Sequence, residues 1–348
     1  MSIEQDAYTN LAARHNLGES KRYRQILQML MTPAQAQLVV QLPATPDELS
    51  QKTKTPLAQV NKDLEELFLR GVIIPRNFQT REGYRFCRST EQLHDATQTM
   101  TRFDKATEAK YFALWDEFCN KEWYPEVAKT YATREIPLER IVPAYKAIEK
   151  VPGIQPYDDV RELIRLADPI SVVPCPCRRH AQQCNKPMDV CLQLGRGGEY
   201  AIMRGSGKKI SYTEAIKVMD EVEDGGEVHI WPNVATGAPR FMCNCCDDCC
   251  IAWVPLKQNN IPHEKRAAKS RFEAINDQSK CDGCQVCVDR CMFDAIEIVK
   301  VPGSKKMKAQ VDPEKCWGCG LCVIKCEPNA LSMKLVRPPQ HIPGAVPA

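Results

Sequence analysis

Residues 281–326 carry one cysteine spacing written twice. "CDGCQVCVDRC" places Cys281, Cys284, Cys287 and Cys291, and "CWGCGLCVIKC" places Cys316, Cys319, Cys322 and Cys326. The second copy is the first moved by 35 residues. The same shift lays Asp277 on Asp312, Lys280 on Lys315, Gly283 on Gly318 and Ala295 on Ala330. Identities that persist outside the cysteines mark an internal repeat rather than a chance run. The start, "MSIEQDAYTN", has no basic stretch followed by an apolar one, so no secretory signal is read there. The thiols are therefore read as metal or redox ligands and not as a disulfide framework.

Two residues between cysteines let a tight loop wrap one face of a cubane, and the longer third spacing sends the last thiolate away. This C-x2-C-x2-C-x3-C rhythm resembles that of the bacterial two-cluster ferredoxins, over residues 271–336. In that family the fourth cysteine of each run serves the other cluster. The resemblance implies one [4Fe-4S] cluster on Cys281, Cys284, Cys287 and Cys326, and a second on Cys316, Cys319, Cys322 and Cys291. The sequence departs from the family in one respect. Met292 follows one fourth cysteine and Glu327 the other, with Pro328 one place later, where the family has proline. Structural zinc would be expected on two cysteine pairs instead. Residues 270–348 hold 11 Lys and Arg against 9 Asp and Glu. Free ferredoxins are commonly acidic, so this balance points to a module of a dedicated complex.

The chain has 348 residues and 19 cysteines, of which only Cys87 and Cys119 precede residue 170. Nine lie between 175 and 250 and eight between 281 and 326. The length suits more than one domain, and 43% apolar with 26% charged residues is a soluble globular composition. No window reaches the roughly 18 apolar residues of a membrane span. A net charge of +3 gives no strong attraction to nucleic acid or anionic membrane.

Residues 173–270 are read as a cysteine-rich α/β domain. "CPCRRHAQQCNKPMDVC" supplies Cys175, Cys177, Cys184 and Cys191, and "CNCCDDCC" supplies Cys243, Cys245, Cys246, Cys249 and Cys250. Between them "SYTEAIKVMDEVEDGG" reads as a helix capped by Ser211 with Glu214 at the box position, and "EVHIW" reads as a strand. Vicinal cysteines diverge, so members of a pair are expected on different irons or on different clusters. If 243–250 were helical, Cys245 would share a face with Cys249, and Cys246 with Cys250. The thiols suffice for one or two further iron–sulfur clusters. A larger non-cubane cluster, a reactive dithiol and structural zinc are the other readings. His180, Asp247 and Asp248 are substitute ligands. The stretch from "PYDDVRELI" through "CPCRRH" to "CNCCDDCC", with the repeat, resembles a group of bacterial and archaeal iron–sulfur proteins over residues 155–336. That resemblance implies extra iron–sulfur binding and no settled activity. The glycine-rich "GRGGEYAIMRGSGKK" lacks both phosphate-loop spacings and reads as a basic, mobile loop.

Residues 1–100 read as three helices and a hairpin, an order that resembles a winged helix-turn-helix domain. Ser20 caps the first helix, and Thr45–Pro46 and Thr55–Pro56 open the next two. The hairpin joins "VIIPRNF" to "GYRFCR". Twelve basic and eleven acidic residues in 1–100 leave few free cations for phosphate, so docking to protein is favoured over DNA. Residues 101–172 form a mostly helical connector interrupted near Pro125, and 337–348 a Pro-rich tail. Cys87 and Cys119 read as buried core thiols.

The expectation is a multidomain α+β protein: an N-terminal winged helix, a cysteine-rich middle and a C-terminal dicluster ferredoxin domain. Its expected role is cytoplasmic relay of single electrons to a partner oxidoreductase of anaerobic metabolism. No catalytic residue stands out. Two alternatives remain: a redox-sensing winged-helix transcription regulator, and an oxidoreductase whose middle cluster binds substrate.

Overall fold

The computed structural model describes residues 3–165, 167–237 and 240–345. They fall into two compact units. One comprises Met1–Glu126, Val173–Cys184 and Glu199–Lys208, and the other Val127–Val172, Asn185–Gly198 and Lys209–Ala348.

The chain opens with α1 (Ile3–Ala13) and α2 (Lys21–Leu30). Ser20 starts α2 by accepting a hydrogen bond from the Tyr23 amide at 3.0 Å. Tyr23, Ile26, Leu27 and Leu30 then bury one face at helical spacing. α3 (Pro33–Val40) and α4 (Pro46–Thr53) both start at Thr–Pro, where Thr32 and Thr45 close capping boxes with Gln35 and Glu48. α5 (Leu57–Arg70) lacks the expected Thr55 cap. Pro56 is its cap residue, and the Thr55 hydroxyl accepts instead from Thr53 at 3.0 Å. Gly71 ends α5 at φ +84°, where a Cβ would meet the Ala96 carbonyl at 2.7 Å. The hairpin is short, with β1 (Ile73–Pro75) antiparallel to β2 (Tyr84–Phe86).

After α6 (Thr90–Gln98), α7 (Lys105–Phe118) runs through a π turn, Cys119–Trp123, into α8 (Tyr124–Ala132). The interruption therefore precedes Pro125, which occupies the first turn of α8. Cys87 and Cys119 are both buried. Burial pushes the Cys87 thiol up to about 12, and it donates to the Gly71 carbonyl at 3.3 Å. Both behave as small hydrophobes in the core.

The chain continues through β3 (Glu139–Val142), α9 (Tyr145–Ile148), α10 (Val160–Arg165), β4 (Ile170–Pro174), α11 (Pro176–Ala181) and β5 (Asp189–Leu194). Next come α12 (Arg196–Met203), β6 (Lys208–Ile210), α13 (Tyr212–Gly225), β7 (Val228–Pro232), β8 (Phe241–Cys245), α14 (Val254–Gln258) and β9 (Ala267–Ala268). The helix expected at Ser211 is present, with its complete capping box to Glu214. The glycine-rich segment after β5 is not a mobile loop: it forms α12. A Cβ at Gly197 would meet the Arg240 carbonyl at 2.8 Å, and one at Gly198 the Gln193 carbonyl at 2.7 Å. Those glycines serve close approach of backbones.

One seven-stranded sheet runs in the order β6-β4-β5-β8-β7-β3-β9. The remaining sheets are two-stranded, so the fold is mixed α+β with several small sheets. The second unit is organised on a continuous core that includes Ile141, Ile230, Trp253, Phe272 and Met333. Cys245 and Cys250 belong to that core, as do buried cysteines of the repeat. Among the described residues no helix is long and apolar enough to cross a membrane.

Candidate metal centres

The 35-residue shift is a shift of structure as well as of sequence. β10 (Phe272–Asn276) is followed by α15 (Val286–Asp289) and β11 (Ile296–Lys300), and β12 (Met307–Val311) is followed by turns and β13 (Leu331–Leu335). β12 is β10 displaced by the repeat, and β13 is β11 so displaced. The pairing is crossed: β10 lies antiparallel to β13, and β11 to β12. Each two-stranded sheet therefore takes one strand from each copy. The Asp277 amide donates to the Ala330 carbonyl at 2.7 Å, and the Asp312 amide to the Ala295 carbonyl at 2.8 Å, the same bond seen from either copy.

The cysteine loops repeat as closely. Left-handed φ recurs at Gly283 and Gly318, at Gln285 and Gly320, and at Asp294 and Asn329. A Cβ at Gly318 would stand 2.1 Å from the Phe272 carbonyl oxygen and 2.2 Å from Ser270 Oγ. A Cβ at Gly283 would stand 2.4 Å from the Met307 carbonyl oxygen. At these glycines the loops thus approach neighbouring backbone closely.

Cys281, Cys284, Cys287 and Cys326 line one cavity, closed by Ile298 and Leu331. Three come from the first copy and the fourth from the second. Burial, then Cys284, Cys281 and Cys326, push the Cys287 thiol up to about 11. The other four form a second group. Cys319 is pushed up to about 12 by burial and then by Cys291 and Cys316. Cys322 is pushed well up by burial, then by Cys319, Cys316 and Cys291. Backbone N–H groups are aimed at sulfur in symmetric fashion: Ala309 to Cys281 at 3.3 Å, and Ala274 to Cys316 at 3.4 Å. Each group thus offers four thiols in apolar surroundings with amides on the sulfurs. That donor set fits an iron–sulfur cluster, whose potential responds to such bonds and to burial.

These shifts make a pH prediction for the metal-free protein. A buried thiol held above its ordinary value near 9 binds its proton more tightly folded than unfolded. Its contribution is complete below pH ~9 and is lost as pH rises toward 11–12. The urea midpoint of metal-free protein should fall between pH 8.5 and 10.5. Cys319→Ala and Cys322→Ala should flatten that fall.

The segment "CNCCDDCC" is not helical, and the pairing expected of a helix does not occur. Cys243 and Cys245 lie on β8, where alternation puts both on one face, and the chain then turns. The turn returns Cys250, not Cys249, to Cys245, with the sulfurs 3.7 Å apart. The Cys245 thiol is pushed well up by its hydrogen bonds with Cys243 and then Cys250, and by burial. On the neighbouring strand β5, Leu192 pairs with Met242. Cys191 precedes Leu192 on β5 and is buried. Cys243, Cys245 and Cys250 thus form a thiol group within the second unit. Cys246 and Cys249 are buried beside them in the chain. Cys175, Cys177 and Cys184 belong to the first unit, Cys175 buried at the start of α11 and the other two half-buried.

Of the substitute ligands, His180 and Asp247 have other partners. The His180 ring stands 3.1 Å from the His94 ring, nitrogen to nitrogen, and burial followed by His94 pushes it down to about 3. Asp247 pairs with Lys257 at 3.1 Å, and Asp248 is exposed.

Sequence reading missed the aromatic contact joining these regions. Trp253, whose amide donates to the Cys250 carbonyl at 3.1 Å, meets Trp317 edge-on at 6.3 Å. Trp317 follows Cys316 and stacks on Phe293 at 5.1 Å. A tryptophan directly after a loop cysteine was the available signal. Arg290 was also missed. It precedes Cys291 and donates to the carbonyls of Leu321 at 2.8 Å and Glu223 at 2.6 Å, tying the repeat to the end of α13.

Residues 280–330 match the family model described as a 4Fe-4S dicluster domain. No curated protein and no solved structure matches the chain. The matched segment holds all eight cysteines of the repeat, so iron–sulfur binding of the 4Fe-4S kind is supported for this part of the chain.

Proposed function

We propose that the protein relays single electrons through two [4Fe-4S] clusters in residues 271–336, and onward through the middle cysteines to a partner oxidoreductase. The observation that carries this reading is the convergence of eight thiols into two groups of four, each drawn from both copies of the repeat. Cys281, Cys284, Cys287 and Cys326 would hold one cluster, and Cys316, Cys319, Cys322 and Cys291 the other. The thiol group of Cys243, Cys245 and Cys250 would hold a further iron–sulfur centre, with Cys191, Cys246 and Cys249 of the same unit as further ligand supply. The Trp253–Trp317 contact favours the second repeat group as the neighbour of that centre. When bound, such clusters supply low-potential one-electron centres.

The decisive measurement is iron and acid-labile sulfide per chain, prepared anaerobically beside a zinc assay. About eight irons would confine the clusters to the repeat, and about twelve to sixteen would include the middle cysteines. Fewer than eight with stoichiometric zinc would overturn the relay.

For residues 1–100 the reading is a winged-helix module that docks a protein partner, in a cytoplasmic complex of anaerobic metabolism. On α5 the acidic groups are engaged inward: Gln35 donates to Asp63 at 3.1 Å and to Glu66 at 2.9 Å. Glu65 pairs with Arg81 of the hairpin loop at 2.8 Å, which removes that arginine from a phosphate-facing role. The second reading, a redox-sensing regulator, requires salt-dependent binding to genomic DNA fragments. Absence of binding at low salt would dispose of it.

A further inference from the structure

We infer that the surface over the first repeat group is the docking face for a small acidic one-electron carrier protein. This rests on the relay reading above and adds to it the point of electron exchange and the chemistry of the partner.

The two thiol groups differ in their access to solvent. Cys284 is the exposed cysteine among the eight of the repeat, whereas Cys316 and Cys322 of the second group are buried and Cys291 and Cys319 half-buried. Trp317 and Phe293 pack beside the second group. Electron transfer weakens steeply with distance, so an external carrier gains most by approaching over Cys284.

The surroundings of Cys284 specify what can dock. Val286 and Met307 stand out from the surface, 41% and 45% exposed. Met307 is held beside the loop by the close approach of its carbonyl to Gly283. It opens β12, and the turn before it joins β11 to β12 as "KVPGSKKMK", residues 300–308. That turn has four lysines and no acid. Lys308 Nζ donates to the Cys281 carbonyl, and Lys306 is among the charges that hold the Asp282 carboxyl below its usual range, after its hydrogen bonds with Cys284. Lys325 lines the cavity with Cys326.

The nearby acids are Asp282, Asp224, Glu327 and Asp289, the last exposed at the end of α15. Asp282 accepts from the Cys284 amide at 3.1 Å, and Asp224 pairs with Lys325 at 2.7 Å. Glu327 is exposed next to Cys326. On the turn itself Lys305 and Lys306 are exposed, with no acid among residues 300–308. A small apolar contact beside a basic turn suits a transient partner of opposite charge, since the turn steers encounter while the small contact permits release. Each encounter moves one electron: the carrier changes by one oxidising equivalent, the protein by one of opposite sense, and no bond is made or broken.

The test uses full-length protein with its iron content verified, reduced anaerobically and mixed by stopped flow with oxidised flavodoxin, an acidic carrier. Oxidised cytochrome c serves as a basic comparator. The second-order rate with flavodoxin should fall about tenfold as ionic strength rises from ~20 to ~300 mM. The double variant Lys305→Glu/Lys306→Glu should lose about tenfold with flavodoxin at low salt and gain with cytochrome c. Lys52→Glu/Lys110→Glu, on the first unit, should change neither. If eight irons are retained and the turn variant leaves both rates unchanged, or if flavodoxin reacts independently of salt, the docking face is wrong and the relay stands. Loss of the eight irons from unmodified protein would overturn the relay itself, and this inference with it.

Discussion

Gly318→Ala should lower stability by more than about 3 kcal/mol and deprive the protein of the second centre. Two costs combine. The left-handed φ of +68° costs an alanine roughly 1–2 kcal/mol. The new methyl would also stand 2.1 Å from the Phe272 carbonyl oxygen and 2.9 Å from its carbon, so β10 would have to move. β10 pairs with β13 and bears Ala274, whose amide reaches Cys316. Displacement there spreads directly to the sulfur. Gly303→Ala separates the two costs, since it has φ +81° with nothing within 4 Å of the added carbon. It should cost only the backbone share, about 1–2 kcal/mol. Urea unfolding of both variants, with iron content measured in parallel, checks the difference. Equal midpoints would mean that the close approach at Gly318 has no energetic weight.

Single cysteine replacements should pair across the repeat, not within it. Cys326→Ala is expected to abolish the same centre as Cys287→Ala, although residue 326 lies in the other motif. Cys291→Ala should likewise match Cys322→Ala. Each change should remove about four irons and one of two reduced-cluster electron paramagnetic resonance signals. The basis is the cavity lined jointly by Cys281, Cys284, Cys287 and Cys326, and the influence of Cys291 on Cys319 and Cys322. If Cys291→Ala instead matched Cys287→Ala, each motif would serve its own centre.

The parts of this fold that were legible in the sequence are those fixed by local chemistry. Ser20, Thr45 and Ser211 cap helices because a hydroxyl beside free amides acts within a few residues. The repeat was legible because two similar segments must adopt similar loops. Long-range packing was not. "CNCCDDCC" alternates neither as a clean strand nor as a helix, and its conformation follows from β5 and β7, which flank β8 in the sheet. Glycines 197 and 198 suggested mobility, yet their lack of side chains lets α12 sit against Arg240 and Gln193. The Thr55 cap failed because α5 starts at Leu57, which puts Pro56 and not Thr55 at the cap position. The first thiol group was expected from resemblance to a family. Its exposed edge at Cys284 and the buried Trp317 beside the second group depend on which strands cover which loop.

The crossed pairing of β10 with β13 and β11 with β12 has a consequence for what half of this domain could be. A chain bearing one repeat would expose two unpaired strand edges and three thiols lacking a fourth. An identical chain related by a two-fold axis would complete it, as in any isologous dimer. Joining the halves replaces an association that depends on concentration with an intramolecular one. It also releases the halves from being alike. The joining turn could then be lysine-rich beside an open thiol, and one half could acquire a buried tryptophan. A symmetric pair would have to present the same face twice, whereas the fused domain has one outward end and one inward end.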